Sequence, residues 1–221
     1  MEQGEINAEG LDSRTRLILA GEQLFAENGL GGASMREIAT RAGQANHAAV
    51  QYHFGSREGL VRAIFDHRME QMEPVRGEML RELEHTNERN DPRRLIEVIM
   101  LPQLGLQGMR SYASFLSQYL LSTRSDKFGD FGGSGPPNLT SSLERLRARI
   151  NYLPDYVAQR RLISVSLMFL NILVRHHGAD EPDSGEPFED ALEDTLDQIV
   201  AVMCMPLRAK AEHSGSALVG G

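Results

Sequence analysis

Residues 34–60 read SMREIATRAGQANHAAVQYHFGSREGL, which predicts two short helices, a glycine turn between them and the start of a third helix. Ser34 and Glu37 form the S-x-x-E pattern of a capping box at the start of the first helix. Gly43 follows that helix, where the chain often needs a positive φ angle that glycine adopts at little cost. Asn46 is a good N-cap for the next helix. The stretch therefore has the pattern of a helix-turn-helix.

The second short helix has two different faces. Ala49 and Val50 form an apolar face, which we expect to pack inward. The opposite stripe, at helical spacing, carries His47, Ala48, Gln51 and Tyr52. A helix-turn-helix places the exposed side chains of its second helix in the major groove of DNA. The polar stripe therefore predicts a DNA-reading surface.

The sequence resembles the DNA-binding head of TetR-type (tetracycline-repressor-like) transcriptional regulators. The resemblance covers roughly residues 12–62. It is carried by LFAENG at 24–29, SMREIA at 34–39, Ala-Gly at 42–43 and YHFGSRE at 52–58, which occur in this order. Between the turn glycine and Tyr-His-Phe lie eight residues, 44–51, one more than common members of the family have. This additional residue predicts a longer turn or a longer reading helix.

The resemblance implies an all-α fold, with an N-terminal three-helix helix-turn-helix DNA-binding head and a C-terminal helical body for ligand binding and dimerisation. We divide the chain into a disordered tail (1–11), a helix-turn-helix DNA-binding domain (12–56), a helical ligand-binding and dimerisation domain (57–206) and a flexible tail (207–221). Apolar residues recur at three- and four-residue spacing, and no segment shows the two-residue alternation of a strand. The residue pattern therefore also favours helices.

Caps and apolar spacing place the remaining helices. Helix one is predicted over about residues 13–28, and a helix from Ser56 links head to body until Pro74 interrupts it. A further segment ends near residue 88, and Asp91-Pro92 is typical of a helix start. Helices are then predicted over about 109–123 and 139–152, with a Gly/Pro-rich loop over about 128–137 between them.

The last two helices predict a dimer. Residues 162–174 are apolar on nearly every side, and such a helix needs cover all round. The final helix carries an apolar stripe of Phe188, Ala191, Leu192, Thr195, Leu196, Ile199 and Met203. As the resemblance implies, these two helices from each subunit form a four-helix homodimer interface. Two-fold symmetry then presents two heads to an inverted-repeat DNA operator.

The charge of the chain is unevenly distributed. The formal net charge is −8, which by itself argues against a nucleic-acid partner. Residues 12–60, however, hold five acids and five arginines, namely Arg14, Arg16, Arg36, Arg41 and Arg57. A neutral head is compatible with DNA binding if the arginines face the phosphates. Affinity then depends on a modest number of contacts and on dimer symmetry.

The candidate DNA contacts all lie in or beside the helix-turn-helix. We expect His47 and Gln51 to contact bases or backbone, Tyr52 and His53 to contact phosphate or cap the helix, and Arg36 and Arg41 to contact phosphates. The alternative is that these are ordinary exposed residues. The full set is Ser34, Arg36, Arg41, Gln44, Ala45, Asn46, His47, Ala48, Gln51, Tyr52 and His53.

The middle helices are expected to line a ligand site for a small apolar effector. The candidate lining residues are Leu101, Leu104, Met109, Tyr112, Phe115, Tyr119 and Met168. Tyr112 and Tyr119 each offer one hydroxyl to an otherwise apolar ligand. For any single methionine, a plain core role is the alternative.

The function predicted from these features is that of a ligand-responsive repressor that binds its operator as a dimer and is released by an effector. Two alternatives remain: a constitutive DNA-binding protein without an effector, and an all-helical enzyme. The sequence lacks the phosphate-binding loop, the nucleophile elbow and the His-Glu-x-x-His pattern, so we expect no enzyme, no catalytic residues and no cofactor. His176, His177 and Asp180 predict no metal site, because adjacent histidines point in different directions on a helix.

The expected location is the cytoplasm. The single cysteine, Cys204, cannot form an internal disulfide. The first residues are acidic and polar, unlike a secretory signal. No apolar run approaches the ~20 residues of a membrane span, so we expect no membrane partner.

Overall fold

The computed structural model describes residues 10–46, 48–122, 127–129, 135–176 and 186–208. Within these ranges the chain forms nine α-helices and one 3₁₀ helix, with no strand, which confirms the predicted all-α class. They are α1 (Ser13–Asn28), α2 (Met35–Arg41), α3 (Ala49–Phe54), α4 (Arg57–His85), α5 (Pro92–Met100), the 3₁₀ helix (Leu101–Gly105), α6 (Met109–Ser122), α7 (Pro137–Arg149), α8 (Asp155–His176) and α9 (Phe188–Cys204). His47, His177 and Asp180 lie outside the described residues, as do most of both predicted tails.

Helix α1 begins at the predicted residue because Asp12 caps it. The Asp12 carboxylate accepts a hydrogen bond from the Thr15 backbone N–H at 2.9 Å. Helix α1 buries an apolar face of Leu17, Ile18, Leu24 and Phe25, and Gly21 lies where this face meets α4. A Cβ atom at position 21 would stand 2.9 Å from a methyl carbon of Leu60, so glycine permits the close approach of the two helices.

Helix α4 is one continuous helix of 29 residues that runs from the head into the body. The prediction that Pro74 interrupts it is wrong, and the segment predicted to end near residue 88 is the end of the same helix, at His85. A proline within a helix removes one backbone hydrogen bond. The buried side chains of Met72 and Arg76, on either side of Pro74, hold the helix against the body.

The body is formed by α5 to α9 around the second half of α4. Helix α6 packs against both α1 and α8, and α5 packs against α7 and α9. Asp91 caps α5, with Pro92 in the first turn as predicted. Helix α7 begins at Pro137, two residues before its predicted start, because proline suits the first position of a helix.

Helices α8 and α9 pack closely against each other. The stripe of α9 is buried largely inside its own subunit, at Ala191, Thr195, Leu196, Ile199 and Met203. Helix α8 buries Leu162, Val165, Phe169, Leu170 and Leu173, and leaves Leu167, Met168 and Ile172 partly exposed. The outer face of this pair therefore carries partly exposed apolar side chains.

One helix of the described part is long and apolar enough to cross a membrane, judged by length and composition only. It is α8, over Asp155–Arg175, and less than half of its apolar window is buried inside the subunit. A core helix of a soluble protein has the same length and composition, so this observation is weak.

Candidate nucleic-acid interface

Helix α2 begins with the predicted capping box. The Glu37 N–H donates to the Ser34 hydroxyl at 3.2 Å, and the Ser34 N–H donates to the Glu37 carboxylate at 2.8 Å. These hydrogen bonds from Ser34 hold the pKa of Glu37 below its usual value. Ile38 and Ala39 are fully buried, and Gly43 has the expected positive φ of 68°. The start of α2 and the turn that follows it therefore have the local geometry that the sequence predicts.

The turn before α3 extends further along the chain than the sequence predicts. The α-helix begins at Ala49, with Ala48 as its N-terminal flanking residue, so the expectation of Asn46 as the direct N-cap is wrong. Asn46 nevertheless organises this turn. Its side-chain oxygen accepts a hydrogen bond from the Ala48 N–H at 2.9 Å, and its carbonyl accepts one from the Ala49 N–H at 3.0 Å. Because α3 has only six residues, the additional residue before Tyr52 lengthens the turn rather than the helix.

Helix α3 shows the two faces that its sequence predicts. Ala49 and Val50 are buried, whereas Ala48, Gln51 and Tyr52 are exposed. The Tyr52 ring is 85% exposed and meets the ring of His53 edge-on at 5.1 Å between centroids. An aromatic side chain so exposed on a short helix has an apolar ring and a hydroxyl available to a partner.

Ten of the eleven candidate DNA contacts lie in the described residues, and the eleventh is His47. Eight of the ten are exposed: Ser34, Arg36, Arg41, Ala45, Asn46, Ala48, Gln51 and Tyr52. Gln44 and His53 are partly buried, and the Gln44 amide lies 3.5 Å from the Ala42 carbonyl. The structure therefore gathers the candidates on α2, α3 and the turn between them.

Three arginines of the head have partners within the head itself, and the predicted phosphate contacts of Arg36 and Arg41 stay predictions. Arg57 lies over the Phe25 ring, at 5.7 Å, and donates to the Leu30 carbonyl. Arg14 lies over the Phe54 ring at 5.4 Å. Arg41 donates to both carboxylate oxygens of Glu27, at 3.0 and 3.1 Å, which raises the pKa of Arg41. These contacts favour cation–π and ion-pair roles within the head.

A buried ion pair joins the head to the body. Arg68 on α4 donates two hydrogen bonds of 2.6 Å to the carboxylate of Glu22 on α1, and both side chains are fully buried. Burial raises the pKa of Glu22, and the hydrogen bonds from Arg68 oppose that shift. Arg68 also donates to the Gln107 carbonyl at 2.9 Å and lies over the Tyr112 ring at 5.7 Å. One guanidinium therefore contacts α1, the segment before α6, and α6 itself.

Aromatic rings form a second connection between head and body. The rings of Phe25 on α1 and Phe115 on α6 stack with their centroids 6.2 Å apart. Phe115 also contacts Phe65 on α4 at 5.2 Å, and Phe65 meets Tyr119 edge-on at 4.5 Å. These rings therefore connect α4 and α6 to α1, the first helix of the head.

The body contains a small central cavity and a larger outer cleft. The central cavity has a volume of about 50 Å³ and lies between α4, α6 and α8, with Arg76, Gln103 and Tyr112 in its wall. The outer cleft has a volume of about 530 Å³ and lies between α4 and α7. Both are lined by Phe65, Met69 and Leu139, so they are neighbours in the same region of the body.

The seven predicted ligand-lining residues do not form one site. Tyr112 lines the central cavity, and Met168 lines an open groove between α8 and α9. Met109 and Phe115 are buried, and Leu101, Leu104 and Tyr119 are partly buried; these five contribute to the packed core. Their assignment to a ligand site stays a prediction.

Sequence reasoning missed Arg76 and Gln103, although a signal for Arg76 was present. Buried positions on α4 recur every four residues, at Leu60, Ile64, Arg68, Met72, Arg76 and Leu80. Two arginines on an otherwise apolar stripe point to buried charges. Among the described residues, no group of three His, Cys, Asp or Glu side chains is placed to hold a metal ion.

The helix-turn-helix region matches a known protein family. Residues 17–64 match the family of bacterial regulatory proteins, tetR family. Two solved structures of NalD, the secondary repressor of the MexAB-OprM multidrug efflux pump in Pseudomonas aeruginosa, are also similar. One is 22% identical, with 86% of this chain and 97% of that chain covered and a TM-score of 0.45. The other is 20% identical, with 84% and 94% covered and a TM-score of 0.33.

Among curated proteins, no sequence matches the chain. The family match covers α1, α2, α3 and the start of α4, the same elements that carry the capping box, the glycine turn and the exposed face of α3. Residues 17–64 therefore resemble the DNA-binding domain of the tetR family in sequence as well as in the order of their helices.

Proposed function

We propose that the protein is a homodimeric transcriptional repressor that binds an inverted-repeat operator and is released by a small, mainly apolar effector. The observation that supports this proposal most directly is the exposed face of α3. This short helix follows a glycine turn, with Gln51 and Tyr52 exposed above the buried Ala49 and Val50. Such a helix offers side chains to the major groove while its base remains anchored in the head.

The effector part of the proposal is supported by the course of α4. Leu60 and Ile64 of this helix pack in the head, whereas Met69, Met72 and Arg76 line the central cavity. A ligand that favours one position of α4 also favours one position of the head. It needs only to bind one conformation better than the other to change operator affinity.

The dimer part is supported by the groove between α8 and α9. Its floor is lined by partly exposed Leu167, Met168 and Ile172, with Ser164, Asn171 and Gln198 at its polar positions. An apolar strip with a polar rim is typical of a protein interface. We propose that a second subunit covers this groove and sets the spacing of the two heads.

A nuclease footprint on the DNA beside the protein's own gene tests the proposal. The expected result is protection of two symmetric half-sites whose centres are about one helical turn apart, or a small multiple of it. The protection should disappear when an effector from a hydrophobic compound library is added. Protection of a single, asymmetric site would contradict the symmetric dimer.

The same library separates the regulator from a constitutive DNA-binding protein. A compound that binds the folded protein raises its melting temperature, whereas a protein with a filled body gives no specific shift. If no compound shifts the melting temperature while the footprint is present, the chain is a constitutive binder.

A further inference from the structure

Arg76 on α4 is a buried cation without an oxygen acceptor at hydrogen-bond distance among the described residues. Its side chain is 1% exposed, and its Nε has no hydrogen-bond partner. Its two terminal nitrogens lie 3.7 Å from the sulfur of Met69 and 3.6 Å from that of Met72, and sulfur is a weak acceptor. The nearest described carboxylate oxygen is on Glu73, at 3.7 Å, which is beyond hydrogen-bond distance.

Glu73 forms its hydrogen bonds with Asn138 of α7 rather than with Arg76. One of its carboxylate oxygens accepts the backbone N–H of Asn138, in the first turn of α7, and the side-chain amide of Asn138 donates to the Glu73 carbonyl at 3.3 Å. The second oxygen of the Glu73 carboxylate is buried without a hydrogen bond. Glu73 therefore forms an ion pair with Arg76 at 3.7 Å but accepts no hydrogen bond from it, so the guanidinium has only two weak sulfur acceptors and its Nε has none.

Two further polar atoms beside Arg76 are also unsatisfied. The Tyr112 hydroxyl and the Gln103 side-chain oxygen are buried without a hydrogen-bond partner, and all three side chains line the central cavity. Burial raises the pKa of Tyr112, so its hydroxyl keeps the proton it can donate. The cavity wall therefore presents a guanidinium and a hydroxyl as donors, and one amide oxygen as an acceptor.

Such an arrangement is costly without an occupant. Buried polar groups in proteins are almost always hydrogen-bonded, and a buried charge needs a hydrogen-bonded counter-charge. A carboxylate supplies one negative charge and two acceptor oxygens, and arginine binds it with short, charge-assisted hydrogen bonds. An alcohol or an uncharged apolar compound does not supply such charge-assisted hydrogen bonds.

The central cavity is large enough for the head group of a ligand but not for its apolar part. A volume of about 50 Å³ accommodates a few waters or one carboxylate, but not a drug-sized molecule. The outer cleft of about 530 Å³ shares the walls formed by Phe65, Met69 and Leu139, and is further lined by Phe128 and Leu143. A ligand with its head group at Arg76 therefore has apolar space next to it.

We propose that the effector of this regulator is an apolar molecule with one carboxylate, which pairs with Arg76 and accepts a hydrogen bond from Tyr112. The apolar part of the effector lies toward the outer cleft. This inference rests on the proposed function, since it names the chemical class of the effector. It also gives the bound carboxylate a path to the head, because the Tyr112 ring lies under Arg68, which holds Glu22 of α1.

Binding of matched carboxylates and alcohols to the full-length chain tests the charge requirement. The probes are decanoate, dodecanoate and 2-naphthoate, each compared with the corresponding primary alcohol, and affinity is measured by calorimetry without DNA. We expect at least one carboxylate to bind at least tenfold more tightly than its alcohol. If waters alone satisfy Arg76, acid and alcohol bind alike, and the proposal is overturned.

Two variants assign the selectivity to the cavity. Arg76→Met should abolish the preference for the carboxylate, and Tyr112→Phe should weaken carboxylate binding several-fold while leaving alcohol binding unchanged. Arg81→Met, at an exposed arginine on the same helix, is the matched control and should behave like wild type. Arg76→Met should melt below the wild type, because it leaves the buried oxygen of Glu73 without its ion-pair partner. Tyr112→Phe, which removes no charge, keeps the test valid if Arg76→Met does not fold. An Arg76→Met variant that keeps the preference for the acid overturns the proposal.

Operator binding without any ligand is measured separately by gel shift. A protein that binds its operator but shows no preference for carboxylates retains the proposed function and loses this inference. A protein that binds carboxylates through Arg76 but no operator supports the site and loses the proposed function. The two proposals can therefore fail independently.

Discussion

At the residue scale, Arg68 connects the head to the body through a single side chain. Its guanidinium donates two hydrogen bonds to the Glu22 carboxylate, and both side chains are fully buried. Removing one partner of a buried ion pair leaves the other charge uncompensated. The loss of Arg68 should therefore cost more free energy than the ion pair itself contributes, because the Glu22 carboxylate would stay buried without a partner.

We expect Arg68→Met to lower the free energy of unfolding by about 3–5 kcal/mol, measured by urea denaturation. Arg81→Met is the matched control, because the Arg81–Glu78 pair is exposed and 3.9 Å long, and its loss should cost less than about 1 kcal/mol. The double variant Glu22→Leu/Arg68→Met should recover much of the stability, since it leaves no buried charge. Equal losses in the single and double variants would contradict this account.

Gln51 is the described side chain of α3 best placed to test DNA reading. We expect Gln51→Ala to weaken operator binding about tenfold, because one good base contact is worth about 1–3 kcal/mol. Gln51→Ala should lower the affinity only for operators that contain the base pair contacted by Gln51. On operators in which that base pair is changed, the variant and the wild type should bind equally. The measurement is a gel-shift titration against operators with single base-pair changes.

Gln118→Ala is the control for that experiment, since Gln118 is an equally exposed glutamine on α6 in the body. It should bind every operator as the wild type does. A Gln51→Ala variant with unchanged affinity for the true operator would remove Gln51 from the reading surface.

At the element scale, the caps of α2 and α4 could be predicted because they are local. Ser34 and Glu37 are three residues apart, and Ser56 accepts the N–H of Gly59 within the same turn. The course of α4 through Pro74 could not be predicted in this way. It depends on the packing of Met72 and Arg76 against helices that are distant in sequence.

The cap of α2 should make the stability of the head depend on pH. The folded pKa of Glu37 lies below its ordinary value of 4.5, so its contribution to stability is present above that value and is lost as the pH falls through the folded pKa. The stability difference between wild type and Glu37→Gln should therefore be constant above about pH 5.5 and shrink at lower pH. Urea denaturation followed by circular dichroism at several pH values measures this difference.

Ser34→Ala provides the control, because hydrogen bonds from Ser34 are the cause of the shift. In that background, Glu37→Gln should change the pH profile much less. If Glu37→Gln has the same effect on the profile with and without Ser34, the cap is not responsible.

At the scale of the whole molecule, the sequence predicted the α-class, the head and the final apolar helices, but not where their faces would lie. The sequence predicts that the apolar stripe on α9 is an interface. The pattern alone does not show whether the same chain or a second chain covers this stripe. In the folded chain, Leu196 and Ile199 are already covered by the same subunit. Likewise, Arg76 and Gln103 meet at the cavity only because α4 and the 3₁₀ helix approach each other in the fold.

The outer face of α8 provides a test of the dimer. We expect Leu167→Asp to give a monomer in analytical ultracentrifugation and to lose operator binding, because it places a charge at the centre of the proposed interface. Leu121→Asp introduces the same change at a leucine on α6 that is 71% exposed, and should remain dimeric. A Leu167→Asp variant that stays dimeric with normal helical content would place the interface elsewhere.

The stacking of Phe25 on Phe115 has a thermodynamic consequence for the head. Excised at the start of α4, the head would lose the ring of Phe115 and the guanidinium of Arg68, and would expose the Phe25 ring and the Glu22 carboxylate to solvent. Heating the intact chain should accordingly give one calorimetric peak, with equal van't Hoff and calorimetric enthalpies. Two separate peaks would show instead that the head is an autonomous folding unit.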